Sequence, residues 1–153
     1  MNLYGCSDGS GRTVMEGSLT VSTHMPDKVV LHDLDFVGNG GNGLTASAST
    51  EIWNCSFTGY DIGAAVRDGG MIGVEACAFR HNGIAFSYNT LNYSYFKSGF
   101  PDCTIADNDI GVQFVNIPGG LPLDFVGTVF SGNRVDIENS ISYPLDLSGA
   151  IFE

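Results

Sequence analysis

The sequence predicts an all-β fold, a parallel β-helix in which about six coils of roughly 22 residues stack on one another. One observation is a recurring motif: an apolar residue, two small or polar residues, Asn or Tyr, one further residue, and an apolar-small-apolar triplet. The other is the spacing of its key apolar position, which recurs after 22, 21, 22, 26, 25 and 22 residues. The key positions are Val14, Phe36, Phe57, Phe79, Ile105, Phe130 and Phe152. A period of this size indicates stacked repeats that share one core.

Each repeat reads as three short strands separated by turns. Apolar residues alternate with polar ones, as in Thr50 and Ile52, and do not recur every three or four positions as in a helix. One corner of the stack carries Asn39, Asn82, Asn108 and Asn133, with Tyr60 in the third repeat. We expect these asparagines to adopt a left-handed backbone conformation and to hydrogen-bond along the stack.

The segment 77–86, C-A-F-R-H-N-G-I-A-F, and its counterparts resemble the coils of right-handed β-helix proteins of the pectin-lyase-like superfamily. Those coils often carry Phe-x-x-Asn followed by Gly-Ile or a similar pair. The resemblance covers nearly the whole chain and implies one right-handed domain over residues 1–153. It implies no single function, because the same coils serve lyases, hydrolases, phage tailspikes and adhesins.

The coils follow in order along the chain. The first spans 1–22 and includes a Gly/Ser turn at 7–11; the next three span about 28–47, 49–69 and 70–88. Insertions at 87–98 and 116–122 fall between the third strand of one coil and the first strand of the next, and such insertions usually mark a working face. The final coil, 143–153, stops within a unit. We therefore expect a slice of a longer β-helix whose bare ends associate end to end.

The composition argues against several partners. Six Lys and Arg oppose 17 Asp and Glu, so the net charge is −11. Nucleic acid, an anionic bilayer or an unbridged polyuronate would be repelled. There is no apolar run of about 18 residues and no signal peptide at Met1, so we expect no membrane span.

Three of the four cysteines occupy one position in successive coils. Cys55, Cys77 and Cys103 each lie two residues before a key apolar residue. We expect an internal stack of buried free thiols, with a disulfide between stacked neighbours as the alternative. Their spacing does not suit zinc.

We expect no cofactor and no metal, with calcium left open. Asp8 lies in a Gly/Ser turn that lacks the further carboxylates of a calcium loop. Asp33 and Asp102 line the corner between first and second strands, with two coils separating them.

The register places the only tryptophan on the outer face of the first strands. The column Leu31, Ile52, Val74, Phe100 and Phe125 is predicted to face inward. The outward columns are Val30, Glu51, Gly73, Gly99 and Asp124, and His32, Trp53, Glu75, Pro101 and Val126. An aromatic ring beside carboxylates and an imidazole suits a sugar, whose apolar face packs on the ring. We predict as ligand-binding residues His32, Glu51, Trp53, Glu75, Tyr88, Tyr93 and Tyr95. The alternative is that Trp53 merely covers Gly73.

Glu51 and Glu75 are the candidate catalytic acids. Their Cα atoms should lie roughly 8 Å apart, a separation compatible with an inverting glycosidase. The paired-aspartate signature of polygalacturonase-like hydrolases is absent. We therefore expect a noncatalytic, secreted or cell-surface module that binds a polysaccharide or other glycan or acts as an adhesin. The alternatives are a fragment of a polysaccharide lyase or glycoside hydrolase and a structural spacer.

Overall fold

The computed structural model describes residues 1–6, 11–22, 28–92 and 98–153, and these residues form strands and no helix. Asp8, Tyr93 and Tyr95, named above as candidates, lie outside the described residues. The strands are β1 (Asn2–Tyr4), β2 (Thr13–Glu16), β3 (Leu19–Val21), β4 (Val29–His32), β5 (Leu34–Val37), β6 (Asn42–Ala46), β7 (Ser49–Trp53), β8 (Ser56–Thr58), β9 (Ile62–Arg67), β10 (Met71–Glu75), β11 (Ala78–Arg80), β12 (Ile84–Asn89), β13 (Ser98–Gly99), β14 (Thr104–Ala106), β15 (Ile110–Asn116), β16 (Leu123–Asp124), β17 (Val129–Ser131), β18 (Val135–Glu138) and β19 (Ile151–Phe152).

Strands at the same position in successive coils form the same parallel sheet. The first sheet contains β1, β4, β7 and β10; the second contains β2, β5, β8, β11, β14, β17 and β19; the third contains β3, β6, β9, β12, β15 and β18. The pair β13 and β16 takes the first-sheet position in the fifth and sixth coils. The chain is thus a parallel β-solenoid of about six turns, which confirms the predicted fold class.

The core lies between the three sheets and is built from columns of like side chains. Phe57 stacks between Phe36 and Phe79, with ring centroids 4.6 and 5.0 Å away and planes within 6° of parallel. At the other end, Phe130 and Phe152 stack at 5.1 Å. The predicted inward column of the first strands is also confirmed, since all five residues, Leu31, Ile52, Val74, Phe100 and Phe125, are buried.

The prediction for Val14 is wrong. Met15 pairs with Phe36, whereas Val14 pairs with Asp35 and is 55% exposed. The first spacing is therefore 21 residues (36 − 15) and not 22. Because side chains alternate between the two faces of a strand, a slip of one residue moves Val14 from the core to the outside.

The corner asparagines form the predicted ladder. The Asn108 side-chain oxygen accepts the backbone N–H of Asn82 at 3.0 Å, and that of Asn133 accepts the backbone N–H of Asn108 at 3.0 Å. The left-handed conformation, however, belongs to the preceding residue: His81 has φ 56° and Asp107 has φ 57°. The asparagine itself is thereby turned inward, where its amide reaches the neighbouring coil.

Asn39 does not join the ladder, because its corner is one residue longer. Phe36 and Leu44 are eight residues apart (44 − 36), whereas their partners Phe57 and Ala64 are seven apart (64 − 57). Asn39 is exposed. The ladder ends instead at Tyr60, whose hydroxyl donates to the Gly17 carbonyl at 2.7 Å.

The three stacked cysteines are buried free thiols, as predicted. The backbone N–H of Cys55 donates to Cys77 Sγ, and that of Cys77 donates to Cys103 Sγ, each at 3.4 Å. Each thiol lies within 3.5 Å of the carbonyl two residues earlier, at Trp53, Glu75 and Pro101. Burial raises the pKa of Cys103 to about 12. At this corner, a sulfur of the next coil therefore takes the place of a carbonyl oxygen as acceptor for the backbone N–H groups of Cys55 and Cys77.

Both insertions lie at the third corner, between the third and first sheets, as predicted, but they are shorter than predicted. Strand β12 continues to Asn89 and β15 to Asn116, so residues 87–89 and 116 belong to the sheet. The loop 117–122 is fixed by Tyr143, whose hydroxyl donates to the Leu121 carbonyl at 2.8 Å and shares its proton with the Pro118 carbonyl at 3.1 Å.

Candidate functional site

The candidate site is the outer face of the first sheet, where strand register sets one column of side chains. His32 pairs with Trp53 and Trp53 with Glu75, as predicted. The column begins with Tyr4, which pairs with His32. Tyr4 was missed because the outward columns were counted only from the second coil, although Leu3 inside already implies Tyr4 outside.

Three rings of this column are neighbours on the surface, tilted by 45° between Tyr4 and His32 and stacked between His32 and Trp53. The Tyr4 and His32 centroids are 5.9 Å apart, and those of His32 and Trp53 are 6.2 Å apart with planes 23° from parallel. Tyr4 is 61% exposed and Trp53 is 42% exposed. The three rings, called the ring platform below, leave large apolar surfaces open to a ligand.

An ordered polar network holds the centre of the platform. His32 Nδ1 lies 2.7 Å from Asp33 Oδ2, and the Asn54 side-chain amide donates to Asp33 Oδ1 at 2.6 Å. The Asn54 hydrogen bond and then the imidazole lower the pKa of Asp33, so it remains a carboxylate. Asp33 and Asn54 both adopt left-handed backbone, with φ 60° and 48°, which brings their side chains beside the platform. His32 is therefore oriented by its own corner.

Arg12, at the same corner one coil earlier, closes this network. Arg12 Nε lies 3.1 Å from Asp35 Oδ1, and the Arg12 guanidinium also donates to the Asn54 carbonyl. Ser56 donates to the same Asp35 oxygen at 2.6 Å. The charges of Arg12 and Asp35 are thus directed at each other and not at the platform.

The two candidate acids differ in their surroundings. Glu51 pairs in register with Gly73, so it lies one coil and two residues from Glu75, as predicted. Lys28 Nζ is 2.8 Å from Glu51 Oε2, which neutralises that carboxylate. Glu75 is half-buried and forms no ion pair within the described part of the chain. The acid beside Trp53 is therefore the uncompensated one.

Tyr88 does not lie on this face. It is 2% exposed and belongs to the core, between Phe86 and Phe114, and burial raises its pKa to about 12. The prediction assigned Tyr88 to the insertion, but β12 continues past it. Alternation from the buried Phe86 would have placed Tyr88 inside.

Other parts of the described chain offer less for binding. Residues 1–6, 11–22, 28–92 and 98–153 contain no group of three or more His, Cys, Asp or Glu side chains that could hold a metal ion. At the corner considered for calcium, the Asp33 carboxylate is already engaged by His32 and Asn54. A cavity of about 430 Å³ lies at the second corner between Glu16, Val37 and Tyr60, away from the platform.

Comparisons with protein-family models, curated proteins and solved structures gave no match. Among the described residues, no helix is long and apolar enough to cross a membrane. The site must therefore be interpreted from its own chemistry.

Proposed function

We propose that this chain is a noncatalytic, secreted or cell-surface β-helix module that binds a glycan, in the manner of an adhesin segment of the right-handed, pectin-lyase-like type. The observation that carries the proposal is the ring platform of Tyr4, His32 and Trp53 on the outside of the first sheet. Aromatic rings placed side by side on a rigid sheet bind the apolar faces of sugar rings, and nearby polar groups bind the hydroxyls.

The platform is rigid, which favours binding. Its three residues lie on β1, β4 and β7, which are hydrogen-bonded to one another. The preceding residue is buried for His32 and Trp53 and partly buried for Tyr4, and in each case it packs in the core. A ligand would therefore lose little affinity to ordering of the protein. The only tryptophan of the chain lies in this cluster of exposed aromatic residues.

Glu51 argues for binding over catalysis. Its carboxylate is held 2.8 Å from Lys28 Nζ, so it is already engaged by a cation of the chain and is not free to act on a glycosidic bond or a water. Under the lyase or hydrolase alternative, Glu75 would have to act with a catalytic group other than Glu51, supplied by another coil.

The test measures Trp53 fluorescence against a panel of neutral and amino-substituted oligosaccharides. We expect iodide or acrylamide to quench Trp53 in the free protein and a bound sugar to protect it. Trp53→Ala and Tyr4→Ala should abolish or strongly weaken binding without changing the circular dichroism, and calorimetry measures this because Trp53→Ala removes the only tryptophan. Val126→Ala is the matched control, since Val126 is exposed at the far end of the same column.

The same variants separate the alternatives. Glu75→Gln should weaken binding of the amino-substituted oligosaccharides if the chain is a binding module, whereas an enzyme would lose turnover and largely keep its affinity. If no sugar protects Trp53 and no polysaccharide is cleaved, the chain is a structural spacer and the proposal fails.

A further inference from the structure

We propose that the sugar bound on the ring platform carries a free ammonium group, as in a non-acetylated β-1,4-linked hexosamine chain, and that Glu75 selects it. This inference rests on the proposed function and concerns which glycan the site prefers. It follows from the charges around Trp53.

Glu75 is the carboxylate nearest to the exposed tryptophan along the column. The two residues are register partners on β10 and β7, about 4.8 Å apart at the Cα atoms. Val74 before it is buried, so the Glu75 side chain lies on the outer face. Beyond Glu75 the column continues with Pro101 and Val126, which carry no charge.

The other acids near the platform are already compensated. Glu51 is paired with Lys28, and Asp33 is engaged by His32 and Asn54. The cation at the first corner, Arg12, is 3.1 Å from Asp35. Among the described acids within one coil of Trp53, Glu75 is thus the one that a ligand could neutralise; Asp124, in the other outward column, lies two coils beyond Glu75.

An ammonium group satisfies both members of the Trp53 and Glu75 pair. It can form an ion pair with the carboxylate and, at the same time, lie against the electron-rich face of the indole. The chain's net charge of −11 adds attraction for a cation and repulsion for a uronate. A neutral sugar would use the rings alone.

Three trimers of the same β-1,4 linkage test this inference: glucosamine trimer, N-acetylglucosamine trimer and cellotriose. They differ only at C2 of each ring. At pH 6 and low salt we expect the glucosamine trimer to bind about tenfold more tightly than either neutral trimer, by Trp53 fluorescence and calorimetry. The preference should shrink in 1 M NaCl and disappear at a pH where the amine is neutral.

Variants assign the preference to Glu75. Glu75→Gln should bring the three affinities within about twofold of one another while keeping cellotriose binding. Glu16→Gln, which removes an exposed acid of the second sheet, should leave the preference intact. Equal affinities in the wild-type chain, or a preference that survives Glu75→Gln, would overturn this inference and leave the proposed function standing. Absence of binding by all three trimers and by the wider panel would overturn both.

Discussion

Replacing Asn108 with Ala removes a central rung of the asparagine ladder, and we expect it to lower the free energy of unfolding by about 3 to 5 kcal/mol. Asn108 is 3% exposed. Its oxygen accepts the backbone N–H of Asn82 at 3.0 Å, and its amide donates to the Phe79 carbonyl at 3.0 Å. Both groups lose a buried partner in the variant, at about 1 to 3 kcal/mol each. The cavity left by the side chain adds to that loss.

Asn39→Ala is the matched control. The same substitution is made at the same corner, but Asn39 is exposed and outside the ladder, so we expect a change below about 0.5 kcal/mol. Urea unfolding should be followed by circular dichroism and by Trp53 fluorescence together, because neighbouring coils of a solenoid can unfold separately. In a chain of this size the expected loss for Asn108→Ala corresponds to a fall in melting temperature of about 10 °C.

Equal unfolding free energies for the two variants would refute the reasoning. That result would mean that water or a local shift satisfies the Asn82 N–H and the Phe79 carbonyl as well as the Asn108 amide does.

Three further predictions concern the core. Phe57→Ala should destabilise the protein by about 3 to 5 kcal/mol, because Phe57 is fully buried between two rings, whereas Val14→Ala should be nearly neutral in the same urea assay. Burial raises the pKa of Cys103 to about 12, so Cys103 should resist a thiol reagent at pH 9 until the protein unfolds, whereas the exposed Cys6 should react. A reductant should leave the melting temperature unchanged. Labelling of Cys103 in the native protein would contradict this prediction. Tyr88 has a pKa raised to about 12 from 10.0, so its neutral form stabilises the fold up to about pH 10, and this contribution should be lost as the pH rises towards 12. Urea unfolding between pH 9 and 12 checks this, since Tyr88→Phe should lose less stability over that range.

Side-chain alternation made most of the core predictable from sequence. Counting back from the column of Phe57 and Phe79 places Ile52 and Val74 inside, and alternation along the strand then places Trp53 outside. The prediction fails where the chain departs from a constant repeat length. The first coil places Met15 in the column in place of Val14, and the second coil has one extra residue beside Asn39.

The site was less predictable because its selectivity depends on which charges meet. Sequence register places Glu51 and Glu75 on one face but does not show that Lys28 reaches Glu51 and leaves Glu75 without a partner. Likewise, the pairing of His32 with Asp33 depends on the left-handed backbone conformation of Asp33. Different residue types adopt this conformation at the same corner of other coils, so residue type alone does not identify it. Asn54, Ala76 and Asp102 adopt the same turn with different side chains.

Loop length varies mainly at the third corner, and this makes it the natural place to graft foreign peptides. Two residues join β6 to β7 there, whereas eight join β12 to β13, yet the register of the second sheet continues across both connections and that of the third sheet shifts only at the end of β12, between Tyr88 and Asn89. Each doubling of a flexible loop adds only about 0.6 kcal/mol of closure entropy. The three-residue turn after Arg67, between β9 and β10, is a suitable insertion point, because lengthening it would leave the asparagine ladder and the thiol stack at the other two corners in place.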